Sequence, residues 1–136
     1  METPAAAPAK SILIVEDDAL LLLTLRHQFE RAGYAVTTAA NGAEGRDAFF
    51  KERPSIVLAD VMMPSLDGIA MLEEIRAREE HVKTPFVFLS NSNDMDFVAR
   101  AAENGSAAYL LKSDRQIDSI VPLVEEKARG LTQPAA

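Results

Sequence analysis

At 136 residues, 48% of them hydrophobic, the chain is sized for one compact domain with a real core and short tails. Its 21 acidic and 14 basic residues leave a net charge of −7, which argues against a surface built to neutralise nucleic-acid phosphates or an acidic membrane. With no cysteine, disulfides, thiolate metal sites and cysteine nucleophiles are excluded. The longest apolar run, Ala19 to Leu23, is too short to span a bilayer, and METPAAAPAK lacks the apolar stretch of a secretory signal, so a cytoplasmic protein is expected.

Residues 1–9 are rich in Ala and Pro and lack periodicity, and so does the segment 130–136; both read as disordered tails around a domain spanning 10–129. SILIV (11–15) is the first strand candidate. In the helix that follows, Leu21, Leu22, Leu25 and Phe29 share one face and supply a core contact. Leu20 and Leu23 project to the opposite side, more apolar surface than packing needs; one reading is a docking patch for a partner beside the site, the other is scattered surface leucines. Gly33 can close that helix with a left-handed cap before YAVTT (34–38), and Asn41 can cap the next helix at Gly42. Pro54 and Pro85 stop helices just before SIVLA (55–59) and PFVFL (85–89), and Gly105 closes the helix before AAYLL (107–111). The last helical segment contains Pro122, harmless if the helix starts near Ser119 but a source of a kink if it starts near Asp114. Strands one, three, four and five are nearly continuous apolar runs, as parallel strands buried on both faces are, so the fold class is a doubly wound α/β sandwich.

Ligands of such sheets bind beyond the carboxyl ends of the strands. Glu16, Asp17 and Asp18 follow strand one, Asp60 follows strand three, Ser90 and Asn91 follow strand four, and Lys112 follows strand five. Converging carboxylates repel one another unless a cation lies between them, and an all-oxygen cluster suits a hard ion such as Mg²⁺. Lys112 and Ser90 add a charge and a hydroxyl donor, making a place for a tetrahedral dianion next to a carboxylate. Asp60 is the best placed nucleophile for forming an acyl phosphate. Asp18 alone fits a helix cap.

The strings ILIVEDD (12–18), IVLADVMMPSLDG (56–68), FVFLSN (86–91) and AAYLLK (107–112) resemble the receiver domains of bacterial two-component response regulators. The resemblance spans roughly residues 10–129 and implies a flavodoxin-like five-stranded parallel sheet of order 2-1-3-4-5 with five flanking helices. It implies that Asp60 is the phosphoacceptor, and that Mg²⁺ is held by Asp17, Asp60 and the backbone carbonyl of Met62, with Glu16 acting through metal-bound water. It casts Ser90 as the switch hydroxyl, Tyr109 as the aromatic whose rotamer follows it, and Lys112 as the phosphate partner. The donor it implies is a phosphohistidine on a sensor histidine kinase or a histidine phosphotransfer protein, with an unidentified protein reading the result. Met62 and Ser92 would flank the path of the water that ends the phosphorylated state.

The chain departs from the family where Ser113 replaces the usual proline after the lysine. A cis bond there without proline would cost ~2.5 to 4 kcal/mol. Asn91 stands where a small residue is common. Two further readings follow: a degenerate receiver that binds partners without phosphorylation, and a metal-dependent aspartyl-phosphate phosphatase, which requires a second acid where Met62 stands. The sequence is compatible with a stand-alone regulator, a phosphorelay intermediate or the receiver of a hybrid kinase.

Overall fold

The computed structural model describes residues 10–91, 94–112 and 119–132. Strands and helices alternate as β1 (Ser11–Val15), α1 (Ala19–Arg31), β2 (Ala35–Ala39), α2 (Gly42–Glu52), β3 (Ile56–Asp60), α3 (Gly68–Arg78), β4 (Phe86–Ser90), α4 (Met95–Glu103), β5 (Ala108–Leu111) and α5 (Ile120–Thr132). All neighbouring strands are parallel, in the order β2-β1-β3-β4-β5. Among the described residues no helix is long and apolar enough to cross a membrane.

Strand residues alternate between two core layers, as a period of two demands. Ile12, Ile14, Leu58, Val87 and Leu89 face α1 and α5, meeting Leu25, Phe29, Ile120 and Val124. Leu13, Val15, Val57, Ala59, Phe86 and Phe88 face the other way, onto Phe49 of α2, Ile69, Leu72 and Ile75 of α3, and Ala101 of α4. Full burial of a side chain such as Leu25 or Phe29 contributes about 1.5–3 kcal/mol, so these two layers are the main source of stability.

The strand bounds differ slightly from the sequence expectation. Strands two to five begin one residue later than the apolar runs. The Tyr34 amide donates to the Phe29 carbonyl and closes α1, and Pro85 has no amide, although its carbonyl accepts from Val57. Strands three and four end on Asp60 and Ser90, which lie within the strands and not after them. Both glycines expected at helix ends have positive φ, 97° at Gly33 and 78° at Gly105, and the Asn41 side chain accepts from the Glu44 amide at 2.9 Å. α5 begins at Ile120, so Pro122 falls in its first turn, where an amide has no helical partner to lose. α5 runs to Thr132, past the domain bound expected at Arg129.

Candidate functional site

The carboxyl ends of β1, β3 and β5 bring three acids and one lysine together. Asp60 is 5% exposed at the tip of β3, paired in register with Leu89. Glu16, 2% exposed, follows β1; its amide donates to the Ala39 carbonyl, and its carboxylate accepts from the Asp18 amide at 3.1 Å. Asp17 beside it is exposed. Oxygens of Glu16, Asp17 and Asp60 all lie within 4.8 Å of one another. The Lys112 ammonium reaches Glu16 at 3.2 Å and Asp60 at 3.4 Å. Asp18 is spent elsewhere: it caps α1 by accepting from the amides of Leu20 and Leu21.

One lysine cannot balance three carboxylates. Burial raises the Glu16 carboxyl from 4.5 to about 7, aided by repulsion from Asp60 and opposed by the Asp18 amide and Lys112. Burial also raises Asp60, opposed by Lys112 and the Met62 amide. For Lys112 burial disfavours the charge, but attraction to Asp60 and Glu16 outweighs it and the net shift is upward. An all-oxygen donor set this compact, with negative charge in excess, fits a hard divalent cation.

The loop after Asp60 is packed by backbone. A Cβ at Gly68 would overlap the Asp60 carbonyl, and one at Gly42 would overlap the Leu66 carbonyl, so α3 and α2 abut the loop where only glycine fits. The Gly68 amide donates to the Val61 carbonyl at 2.9 Å and the Gly42 amide to Leu66 at 3.1 Å. Ser65 takes a left-handed conformation at φ 71°. Met62, not an acid, occupies the second position beyond Asp60, and its side chain is 56% exposed.

Ser90 is fully buried at the tip of β4, opposite Leu111 of β5, and Tyr109 is half-buried on β5, opposite Phe88. Asn91 is exposed. Leu20 and Leu23 are 74% and 61% exposed on α1, whose other face carries Leu25 and Phe29 into the core. Ser92 and the Lys112 to Ser113 peptide lie outside the described residues.

Sequence reasoning missed a set of polar residues beside the site. Asp67 caps α3 by accepting from the Ala70 amide at 2.7 Å, and it also faces Arg100 of α4 at 3.8 Å. Arg100 donates to Glu73 of α3 at 3.1 Å. The only signal for Asp67 was its place just before the apolar run GIAML; the partners of Arg100 lie 27 or more residues away with no pattern to announce them.

Residues 12–121 match the model of the response regulator receiver domain. The chain is 34% identical over 114 residues to the DNA-binding transcriptional regulator NtrC of Escherichia coli, covering 84% of this chain but 24% of that protein. It is thus similar to about a quarter of the length of such relatives. It is 30% identical over 103 residues to sporulation initiation phosphotransferase F of Bacillus subtilis, covering 76% of this chain and 82% of that one. Among solved structures, a CheY-like receiver domain protein from Methanospirillum hungatei superposes with a TM-score of 0.82 at 23% identity, covering 91% of this chain and 97% of that one. The receiver domain of a histidine kinase from Syntrophus aciditrophicus superposes with a TM-score of 0.77 at 26% identity, covering 94% and 96%. The acids and lysine at one sheet edge, the strand order and these matches agree: the chain belongs to the response regulator receiver domain family.

Proposed function

We propose that this receiver domain, residues 10–129, accepts a phosphoryl group on Asp60 from a phosphohistidine of a sensor histidine kinase or histidine phosphotransfer protein. A carboxylate oxygen of Asp60 bonds to phosphorus as the bond from phosphorus to the donor's imidazole nitrogen breaks, and the imidazole leaves with the electron pair. The observation that carries this reading is the convergence of Glu16, Asp17, Asp60 and Lys112 from three strand ends, with more negative charge than the protein itself offsets. Mg²⁺ would be held by Asp17, Asp60 and the Met62 carbonyl, with Glu16 through water; when bound it supplies the positive charge that lets an anionic nucleophile meet an anionic phosphoryl group. Lys112 holds the phosphoryl oxygens, and Ser90 turns toward them while Tyr109 follows, so that a downstream protein reads an altered surface. The chain catalyses only its own phosphorylation and dephosphorylation, and it acts in the cytoplasm, where such donors and Mg²⁺ are available. Met62 stands where a phosphatase of this kind requires a second acid, two residues beyond Asp60, which disfavours the phosphatase reading.

Incubation with Mg²⁺ and acetyl phosphate is expected to add one acid-stable, base-labile phosphoryl mass, absent in Asp60→Asn. Lack of labelling in the unaltered protein would favour a phosphorylation-independent binding module. Leu20 and Leu23, which stand out on the first turns of α1, form the docking patch for the donor. Leu23→Glu should slow transfer from a cognate phosphohistidine protein about tenfold, as loss of one apolar contact would, and leave labelling by acetyl phosphate unchanged. Equal slowing of both would rule the patch out.

A further inference from the structure

The turn that leads into α2 joins the two loops from which the acidic site is built. On one side it continues β2, whose last residue, Ala39, pairs in register with Val15 and accepts from the Glu16 amide at 3.0 Å. The next two residues are fixed by a reciprocal cap. The Glu44 carboxylate accepts from the Ala40 amide at 3.0 Å, and the Asn41 side chain accepts from the Glu44 amide at 2.9 Å. On the other side, the Gly42 amide donates to the Leu66 carbonyl at 3.1 Å. An amide in the first turn has no partner within its own helix, so α2 makes this bond outward, to the loop that follows Asp60.

That loop also bonds to itself. Gly68 donates to the Val61 carbonyl across its neck, and the Leu66 amide donates to the Pro64 carbonyl at 2.9 Å around the left-handed Ser65. Both of those bonds are local, whereas the Gly42 bond ties the loop to the strand beside Glu16. Glycine is needed for it, because a Cβ at position 42 would overlap the Leu66 carbonyl that the amide must reach. Gly45, one turn on, keeps the helix close, since a Cβ there would press on the side chains of Met71 and Val15. We propose that the turn from Ala39 to Gly42 is a brace that sets the separation between Glu16 and Asp17 on one loop and Met62 on the other, with Gly42 as its positioning residue. The inference rests on the reading of these groups as holders of Mg²⁺: an ion ligated from two loops binds tightly where the loops are already held apart by the right amount.

Calorimetric titration of the full chain with Mg²⁺ alone, without phosphodonor, tests the brace. Gly42→Ala should weaken Mg²⁺ binding about tenfold, as loss of a residue that orients metal ligands does. Glu44→Ala, which frees the Ala40 amide, should weaken it about threefold, the effect of one hydrogen bond. Phe49→Leu changes the core contact of the same helix away from the brace; it should lower the urea midpoint yet leave the Mg²⁺ dissociation constant within about twofold. Unchanged affinity in Gly42→Ala would overturn the brace, and so would an equal loss in Phe49→Leu, which would mean a general loosening of α2. Unchanged affinity in Glu44→Ala would overturn the link through β2. Should Gly42→Ala not fold, hydrogen exchange in the unaltered protein decides. Positioning is reciprocal, so saturation with Mg²⁺ should slow exchange of the Gly42 amide about threefold more than that of Phe49, and an equal change at both would overturn the brace. Absence of Mg²⁺ binding to the unaltered protein would overturn the cation reading and the brace together, whereas equal binding by the unaltered protein and Gly42→Ala would overturn the brace alone.

Discussion

The two ends of the sheet use the same kinds of side chain to opposite ends. At the amino edge, the Tyr34 hydroxyl donates to Glu125 at 2.6 Å, and Lys10 lies 3.7 Å from the same carboxylate and 5.1 Å from the centre of the Tyr34 ring. Glu125 meets Lys10 and the Tyr34 phenol, with the Arg129 charge also acting on Tyr34, and the cluster ties the start of β1 and the turn before β2 to α5. At the carboxyl edge three acids meet one lysine, and two of those acids are almost wholly buried. A cluster whose acid is offset from within the protein stabilises by itself. An unbalanced one is held in place by the rest of the core and gains its partner from outside, which is the signature of a site selected for binding or chemistry over stability.

The sharpest way to break this contrast is to remove the lysine. Lys112→Ala should lower the rate of labelling by acetyl phosphate about 10² to 10³-fold, the usual consequence of losing one preorganised charge. Quantitative mass spectrometry over time measures it, and a loss under threefold would mean that Lys112 serves structure alone. A smaller effect lies in stability against pH. Glu16 is pushed up to about 7 in the folded chain, so between about pH 4.5 and 7 the folded state keeps a proton that the unfolded state has lost. Stability of the metal-free protein should thus be highest below that window and fall by on the order of 1 kcal/mol as pH rises through it, with Asp60 acting in the same direction. Urea unfolding in the presence of a chelator tests the sign, and Glu16→Gln should flatten the slope. The smallest effect is expected at the other edge. Tyr34→Phe removes one hydrogen bond and should cost about 1 kcal/mol. Acetyl phosphate labelling should remain within about twofold of the original, because a satisfied structural contact far from the reacting groups has little leverage on the rate.

Much of this architecture is legible in the amino-acid sequence for physical reasons. Strands buried on both faces advertise themselves as unbroken apolar runs, and SILIV matches β1 residue for residue. Once strands are placed, the parallel topology delivers their carboxyl ends to one edge, so Glu16, Asp17, Asp60 and Lys112 meet although 96 residues separate the first from the last. Apolar runs did not reveal that Tyr34 belongs to the end of α1, since capping depends on hydrogen bonds that hydropathy does not register. Pro122 left two starts open for the final helix, and only the observed start at Ile120 decided between them. The links of Arg100 to Glu73 and Asp67 were invisible because polar pairs on helix surfaces follow no periodicity, and any acid nearby in sequence was an equally good guess.

The abutment of Gly68 on the Asp60 carbonyl bears on how such a chain can diverge. Side chains at the rim, such as the exposed Met62, can be exchanged without disturbing the frame. Position 68 has no such freedom, since any added carbon must displace the backbone of Asp60. The least replaceable residue of the site is therefore one with no functional group, and variation in this protein is channelled toward its rim by a hydrogen atom where every other amino acid has a side chain.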